Sequence, residues 1–457
     1  MASCMLSCRK EHKMIQGQNN PPGPSVTVTI NENQPGHAIP ETFEGLSFET
    51  QVLTANPNFL NTNNAVLIQM VKNLGPGILR IGGGTSDEVY WSEDGHIAAG
   101  SLTKPDIDRL AAFSNAIGWQ VLFGLNLGSN DAATTANEAL YVGNSLGSNL
   151  YALQFGNEPD VYNHGMRPPN YTYATYQQEW ETYLTTVRKK VPQATFAGPD
   201  VAYNNNWITL FAENENTNVK LIDGHYYLTG PATDPTITWQ TILTFNAKLE
   251  WYLQPIKAEA DKFNLPYRIT ESNNVYGGGK AGVSDVFASA LWALDAMWTV
   301  AENNGSGINF HDGVGLAYSP IVIQNGAASA GPEYYAMLAF KYAATGGPVI
   351  PANVDNPQVC SAYACVKTDG TYVFTLINKD NTSPYAFKVQ VGRPVSNMKI
   401  SRLTAPSVTA KTGIMFAGAT VNPDGTFEPK TDEQSTVSGE NFVVNVPAGS
   451  AAVVTVR

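Results

Sequence analysis

The amino-acid sequence predicts an α/β fold: a (β/α)₈ TIM barrel joined to an antiparallel β-sandwich made from the C-terminal region plus one N-terminal strand. Three observations predict it. The chain has 457 residues, room for a barrel of roughly 250 residues beside a sandwich of roughly 100. Between about residues 41 and 346, eight short apolar runs alternate with amphipathic helical stretches. Beyond residue 346 the long helical patterns stop, and short strands with turn signals replace them.

Taken in order, residues 1–24 are polar, end in Pro21, Pro22 and Pro24, and read as a disordered lead. Charges at Arg9, Lys10, Glu11 and Lys13 interrupt Met1–Asn20, which lacks the apolar stretch of a signal peptide. It reads as a vector scar, a mis-called start or the remnant of a processed leader. Ser25–Ile30 is a β-branched strand, followed by turn-rich residues to Pro40. The eight barrel strands are expected at Phe43–Glu49, Gly77–Ile81, Val121–Leu127, Leu150–Phe155, Thr195–Pro199, Leu221–Tyr227, Tyr267–Thr270 and Gly307–Phe310. Helices are expected at Asn64–Leu74, Asp106–Ile117, Tyr173–Val191 and Val283–Glu302. In the third of these, Tyr176, Trp180, Tyr183, Leu184 and Val187 recur at helical spacing. Strands alternating with helices imply parallel pairing through right-handed crossovers. A closed barrel satisfies this, with an open doubly wound sheet as the alternative.

Val359–Lys367, Tyr372–Asn378, Ala386–Val391, Met398–Leu403, Phe442–Val446 and Ala451–Val456 read as sandwich strands, with Asp369-Gly370 and Asp424-Gly425 as turns. Ser25–Ile30 has no place in the barrel and is assigned to this sheet. The domain reading is therefore 25–40 plus 347–457 for the sandwich and 41–346 for the barrel.

Composition narrows the function. The 43% hydrophobic and 10% aromatic content excludes general disorder. A net charge of −12 argues against nucleic acid and other polyanions held by long-range attraction. No run of residues is long and apolar enough for a membrane span. Of four cysteines, Cys4 and Cys8 lie in the lead. Cys360 and Cys365 could close a small disulfide loop or be buried thiols. Neither pair has the partners of a zinc site, and the six histidines lack metal-binding spacing. No metal or cofactor is called for.

In a barrel, chemistry sits where the strands end. The fourth strand runs into Gln154-Phe-Gly-Asn-Glu-Pro159, and Pro159 biases Glu158 toward an extended backbone. The seventh runs into Arg268-Ile-Thr-Glu-Ser-Asn273. Glu158 and Glu271 would then face each other across the barrel mouth, as hydrolysis of a glycosidic bond requires. A random glutamate is a cap or a solvated acid far more often; position at strands four and seven reverses that. His225 and His311 end the sixth and eighth strands and fit either a core or a site role. Tyr203, Tyr226, Tyr227, Tyr276 and Tyr318 fall at or beyond strand ends; most such tyrosines are core, but several at one mouth suit a sugar.

Two motif matches fail on context. Gly143-Asn-Ser-Leu-Gly147 has the nucleophile-elbow spacing, but a helix precedes it and a strand follows, the reverse of what an elbow needs. Gly277-Gly-Gly-Lys-Ala-Gly282 has dinucleotide-fingerprint spacing, yet the region some 20 residues on is helical rather than the end of a strand. Glycine N–H groups ahead of a helix beginning near Val283 would still suit an anion.

The segments Gly45-Leu-Ser-Phe-Glu49, Leu79-Arg-Ile-Gly-Gly-Gly-Thr85, Phe155-Gly-Asn-Glu-Pro159, His225-Tyr-Tyr-Leu228 and Thr270-Glu-Ser-Asn-Asn-Val-Tyr-Gly-Gly-Gly279, followed by Ser284-Asp285, resemble glycoside hydrolase family 79, the β-glucuronidases and heparanases. Asn-Glu-Pro is shared by a whole clan of retaining barrels; the Glu-x-x-x-x-Tyr-Gly-Gly-Gly segment is much narrower. The resemblance implies Glu158 as acid/base, Glu271 as nucleophile and Asn157 at the sugar 2-hydroxyl. It implies Glu49 at distal hydroxyls, where heparanases typically carry Asp. Tyr276, Gly277, Gly278 and Tyr318 would surround a uronic carboxylate. Thr85, Tyr203 and Tyr227 complete the substrate-binding set.

The expected activity is exo-acting retaining β-glucuronidase on small or oligosaccharide glucuronides. The acidic chain, without a Lys/Arg cluster beside the site, disfavours an endo-acting heparanase. A same-clan glycosidase on a neutral sugar and a carbohydrate-binding protein on a decayed hydrolase scaffold are the alternatives. A monomer in a secreted or periplasmic setting is expected.

Overall fold

The computed structural model describes residues 23–95, 100–244, 247–324, 326–344, 346–430 and 432–457. The lead read at residues 1–24, with Cys4 and Cys8, lies outside the described residues apart from Gly23 and Pro24.

Eight parallel strands form one sheet: β1 (Glu44–Glu49), β2 (Ile78–Gly82), β3 (Gln120–Leu125), β4 (Leu150–Phe155), β5 (Ala197–Val201), β6 (Leu221–Thr229), β7 (Tyr267–Val275) and β8 (Ile308–His311). Their order is β4-β3-β2-β1-β8-β7-β6-β5. A parallel bridge between Leu153 and Phe196, with Leu153 N–H donating to Thr195 O at 2.9 Å, joins the two outer strands. The sheet is therefore a closed barrel, not an open doubly wound one. Seven strands lie within about two residues of their expected limits; β7 runs on to Val275, five residues past Thr270.

The helices start where side chains can satisfy free N–H groups. Asn64 caps Ala65–Asn73 through Leu67 N–H, and Asp131 caps Ala132–Leu146 through Thr134 N–H. Thr103 and Asp106 form a reciprocal capping box at Lys104–Ile117, which ends at Gly118 in the left-handed region.

The sandwich has two sheets. One orders Ala352–Val354, Ser25–Ile30, Tyr385–Gln390 and Asn441–Val446. The other is led by Cys360–Val366, Tyr372–Asn378, Ser450–Val456 and Met398–Thr404. Ser25–Ile30 lies inside the first sheet, and its pairing with Tyr385–Gln390 is parallel amid otherwise antiparallel neighbours. Val28, Phe374, Phe387, Val444 and Val454 close the core between the sheets.

Cys360 and Cys365 are both buried and are not joined by a disulfide. They stand five apart on one strand, so they point to opposite faces. Cys360 enters the sandwich core while Cys365 packs with the barrel core. Of the two sequence readings, buried thiols is the one realised.

Helix Phe287–Glu302 is apolar on all sides and buried from Phe287 to Ala301, because barrel, sandwich and helix Pro332–Ala343 enclose it. It also ties the two parts together. Trp298 stacks on Tyr363 of the sandwich at 5.6 Å, and Asp295 accepts from Tyr363 Oη at 2.7 Å and Lys379 Nζ at 3.0 Å.

Glu138 on helix Ala132–Leu146 is buried, and its Oε2 has no partner among the described residues. Burial pushes its carboxyl up from 4.5 to about 8. The folded chain keeps this proton while the unfolded chain releases it above pH ~4.5, so the group's contribution to stability falls by about 1.4 kcal/mol per pH unit across that window. Glu138→Gln cannot ionise. It is expected to leave stability near pH ~4 little changed and to raise it near pH ~8, as read by urea denaturation at the two values.

Candidate active site

The barrel mouth gathers polar side chains from strands that are otherwise apolar. β4 ends in Gln154 and Phe155; the chain continues through Gly156 and Asn157 to Glu158, and Pro159 opens a short 3₁₀ turn, Pro159–His164. Glu158 is not extended, as its proline successor suggested. It is left-handed, with φ 53° and ψ 51°. Proline disfavours the right-handed helical region for its predecessor, and that region is indeed avoided. A hydrogen bond from Glu158 N–H to Asp200 O at 2.8 Å holds the residue there. Asp200, on β5, is itself left-handed at φ 57°. Two such residues, each costing about 1–2 kcal/mol of backbone energy, are therefore joined at the site.

The centre of the constellation is Arg80 on β2, fully buried. Its Nη1 donates to Glu271 Oε2 at 2.8 Å and to Ser47 Oγ at 2.9 Å. Its Nη2 donates to Asp200 Oδ2 at 2.6 Å and Asn157 Oδ1 at 2.8 Å, and its Nε to Gln154 Oε1 at 3.2 Å. Five partners from β1, β4 and its end, β5 and β7 leave the guanidinium no freedom of orientation. Glu271, on β7, takes a further bond from Tyr227 Oη at 2.8 Å, and His311 Nδ1 stands 3.6 Å from it.

Glu158 has a different environment. Its Oε1 meets His225 Nδ1 at 2.9 Å, and His225 Nε2 meets Asp200 Oδ1 at 2.9 Å. Glu158, His225 and Glu271 each offer one atom, all lying within 4.8 Å of one another. Both imidazole nitrogens are engaged by carboxylates, and Arg80 already balances the charge of Glu271. The arrangement therefore suits proton transfer better than cation binding.

Electrostatics separate the two glutamates. Burial alone would raise the Glu271 carboxyl. The charges of His311, His225 and Arg80, with the Tyr227 hydroxyl, outweigh it and hold Glu271 well below the usual range. Burial would lower the His225 imidazole, but Asp200 and Glu271 overcome this and raise it well above its ordinary value. Asp223 lies behind Asp200, and burial together with that neighbouring negative charge raises its carboxyl.

The remaining sequence-predicted residues fall into three groups. Glu49 is bound back by Thr85, whose N–H and hydroxyl both reach Oε2, at 2.8 and 2.5 Å. A Cβ at Gly83 (φ 71°) would overlap that carboxylate. Tyr227 lies between Tyr276 and Tyr318, with ring centroids 6.4 and 6.3 Å away. Gly277 and Gly278 open a run of three positive-φ glycines, and their N–H groups have no protein acceptor among the described residues. Tyr203 is not drawn in: it is 65% exposed, and among the described residues its hydroxyl has no hydrogen bond.

The helix expected from Val283 begins at Phe287, and its first N–H groups are taken by Ala410 O and Val408 O. Any anion site on this loop therefore rests on the glycine amides and not on a helix end.

Sequence reasoning missed Arg80, Asp200, Gln154 and Asp223, and left His225 and His311 unassigned. The signal was present. Arg80 and Asp223 are polar residues inside apolar strand runs, as in Ile78-Leu-Arg-Ile81 and Leu221-Ile-Asp-Gly-His225, and the others fall at or near the ends of theirs. Arg80→Leu would leave Asp200 and Glu271 buried without their counter-charge. It is expected to cost about 3–5 kcal/mol of stability, measured by denaturant unfolding.

Two family models match the chain: "Glycosyl hydrolase family 79, N-terminal domain" over residues 52–298 and "Glycosyl hydrolase family 79 C-terminal beta domain" over residues 362–453. A β-glucuronidase of Neurospora crassa is 23% identical over 84% of this chain and 80% of its own length. Heparanase-like protein 3 of Arabidopsis thaliana is 23% identical over 74% of this chain and 68% of its own. Among solved structures, a 4-O-α-L-rhamnosyl-β-D-glucuronidase from Fusarium oxysporum 12S superposes with a TM-score of 0.78 at 22% identity, covering 94% of this chain and all of that one. A family 51 arabinofuranosidase from Xanthomonas axonopodis pv. citri gives 0.72 at 16% identity, over 95% of this chain and all of its own, so the shared feature there is the fold. With more than half of its length matched by the first family model alone, the chain belongs to glycosyl hydrolase family 79 and is a glycoside hydrolase.

Proposed function

We propose that this glycoside hydrolase is an exo-acting, retaining β-glucuronidase. One observation carries the reading: Glu158 and Glu271, from opposite sides of the barrel, bring carboxylate oxygens within 4.8 Å of each other in unlike environments. Retaining enzymes hold the pair about 5–5.5 Å apart, whereas inverting ones need roughly 6.5–9.5 Å to admit a water.

Glu271 is the nucleophile, kept ionised by Arg80 and aimed by Tyr227. Its carboxylate oxygen attacks C1. The bond from C1 to the leaving oxygen breaks, its electron pair stays on that oxygen, and Glu158 supplies the proton. Water then attacks C1 of the glucuronyl ester. Glu158 accepts the water's proton, and the bond from C1 to Glu271 breaks. The Asn157 Oδ1 already accepts from Arg80, which leaves its amide nitrogen as the donor for the 2-hydroxyl.

His225 suits a positioning role. Asp200 and Glu271 keep the imidazole doubly protonated, so Nε2–H donates to Asp200 Oδ1 and Nδ1–H donates to Glu158 Oε1 while the acid's proton sits on Oε2. After Oε2 has given its proton to the leaving oxygen, the same Nδ1–H bond stays in place and steadies the Glu158 carboxylate until it takes the proton of the attacking water.

The uronate preference is supported by the wall around Tyr227: Tyr276, Tyr318, Gly277 and Gly278 offer hydroxyls and unspent amides and no formal negative charge. In a chain of net charge −12, an anionic sugar must be met by such local donors. Charge-assisted bonds of this kind contribute about 1.5–3 kcal/mol each. Small glucuronides fit this better than a long sulfated chain. A secreted or periplasmic monomer belongs to the same proposal. Among the described residues no helix is long and apolar enough to cross a membrane.

The deciding experiment is hydrolysis of an aryl β-D-glucuronide followed by NMR. The β-anomer should appear first; the α-anomer as first product overturns retention. Glu271→Gln and Glu158→Gln should each lower kcat on unactivated glucuronides by at least about a thousandfold with the fold intact by circular dichroism. Near-normal turnover in either removes its role. Asp200→Asn takes a negative charge from beside His225 and so loosens the proton shared by His225 and Glu158. The alkaline limb of kcat/KM is expected to move to lower pH, and an unmoved limb would separate His225 from the acid/base step.

A further inference from the structure

Behind the glycine segment lies a buried polar chain that the hydrolytic steps do not use. Glu333, the second residue of helix Pro332–Ala343, is fully buried. Its Oε1 accepts from Ser289 Oγ at 2.7 Å and Asn274 Nδ2 at 2.8 Å, and its Oε2 from Asn273 Nδ2 at 3.3 Å. Asn274 Oδ1 in turn accepts from Ser284 Oγ at 2.6 Å, and Ser284 Oγ accepts from the Lys280 backbone N–H at 2.9 Å. Asn273, Asn274, Ser284 and Ser289 are all inaccessible to solvent. A continuous series of hydrogen bonds therefore runs from a helix packed on helix Phe287–Glu302 to the far end of the Tyr276–Lys280 segment.

The near end is fixed separately. Tyr276 N–H donates to Thr229 O at 3.0 Å, Ala317 N–H to Gly278 O at 2.7 Å, and Gly279 N–H to Val275 O at 3.2 Å. Gly279, at φ 78°, is so close to Tyr318 that a Cβ would stand 2.7 Å from Tyr318 N. The loop after β7 and the loop after β8 are thus bonded into one wall. Of the backbone N–H groups from Tyr276 to Lys280, those of Gly277 and Gly278 alone keep no protein acceptor among the described residues.

We infer that Glu333, Asn274 and Ser284 are specificity-positioning residues: they hold the Gly277–Gly278 amides and the Tyr318 loop where a sugar carboxylate at C5 is met, so that they set the preference for a uronide over the matching neutral glycoside. This rests on the glucuronidase reading above. Burial holds the Glu333 carboxyl well above its ordinary range, so it adds little negative charge beside a site for an anion. Polar groups buried this deeply cost stability unless all are satisfied, and their placement behind a glycine segment gives that segment a single conformation.

The test is Ser284→Ala, which removes one oxygen from the chain and no charge. On the aryl β-glucuronide and the matching β-glucoside, the ratio of kcat/KM values should fall at least tenfold from wild type, carried by KM for the glucuronide. Asn274→Ala breaks the series one step further back and should reproduce the fall; if it does not fold, Ser284→Ala decides alone. Equal losses on both substrates, or an unchanged ratio, overturn the inference. A wild-type enzyme with no preference for the glucuronide would instead strike the glucuronidase reading, whatever the variants do.

Discussion

The structure depends on one buried cation. Arg80 places a guanidinium at the barrel axis, where water cannot screen it, and its hydrogen bonds span β1, β2, the end of β4, β5 and β7. A charge buried to this degree is tolerable only if its donors are met and its charge is balanced. Asp200 and Glu271 do the balancing, and the asymmetry follows from them. Glu271 sits directly on the cation. Glu158 is one imidazole away, connected to the same charge only through Asp200 and His225. Two residues of the same type thereby acquire different chemical characters without any difference in their covalent structure.

This asymmetry explains which parts of the molecule could be read from the chain. The barrel strands were legible because each is a short β-branched or apolar run bounded by turn residues, and burial on both faces leaves that pattern undisturbed. Glu158 and Glu271 were legible because they follow such runs at the mouth. Arg80 and Asp223 sit inside their runs, where a polar residue reads as an interruption, and Asp200 at the end of its own was missed as well; only the closure of the barrel shows what they face. The backbone of Glu158 was misjudged for a related reason. The following proline excludes one conformation, but the choice among the others is made by Asp200 O, a partner 42 residues away. The start of helix Phe287–Glu302 was set by carbonyls of residues 408 and 410 in the sandwich, again beyond local reach.

The sandwich contributes more than mass. Its Lys379 and Tyr363 neutralise and anchor Asp295 on the central helix, and its loop at Val408–Ala410 ends that helix's search for hydrogen-bond partners. The helix in turn packs against Pro332–Ala343, which carries Glu333. Through these packed helices the outer layers reach the barrel mouth.

The placement of Ser25–Ile30 has a consequence for synthesis. This strand leaves the ribosome before any barrel strand, yet both of its neighbours, Ala352–Val354 and Tyr385–Gln390, are made more than 300 residues later. This strand must wait, without either of those neighbours, while the entire barrel is translated. Its alternating pattern, with Val26 and Val28 inward and polar residues between, makes a short and only half-apolar edge for that interval. Its brevity, six residues, limits the backbone hydrogen bonds it can offer another nascent chain in that interval.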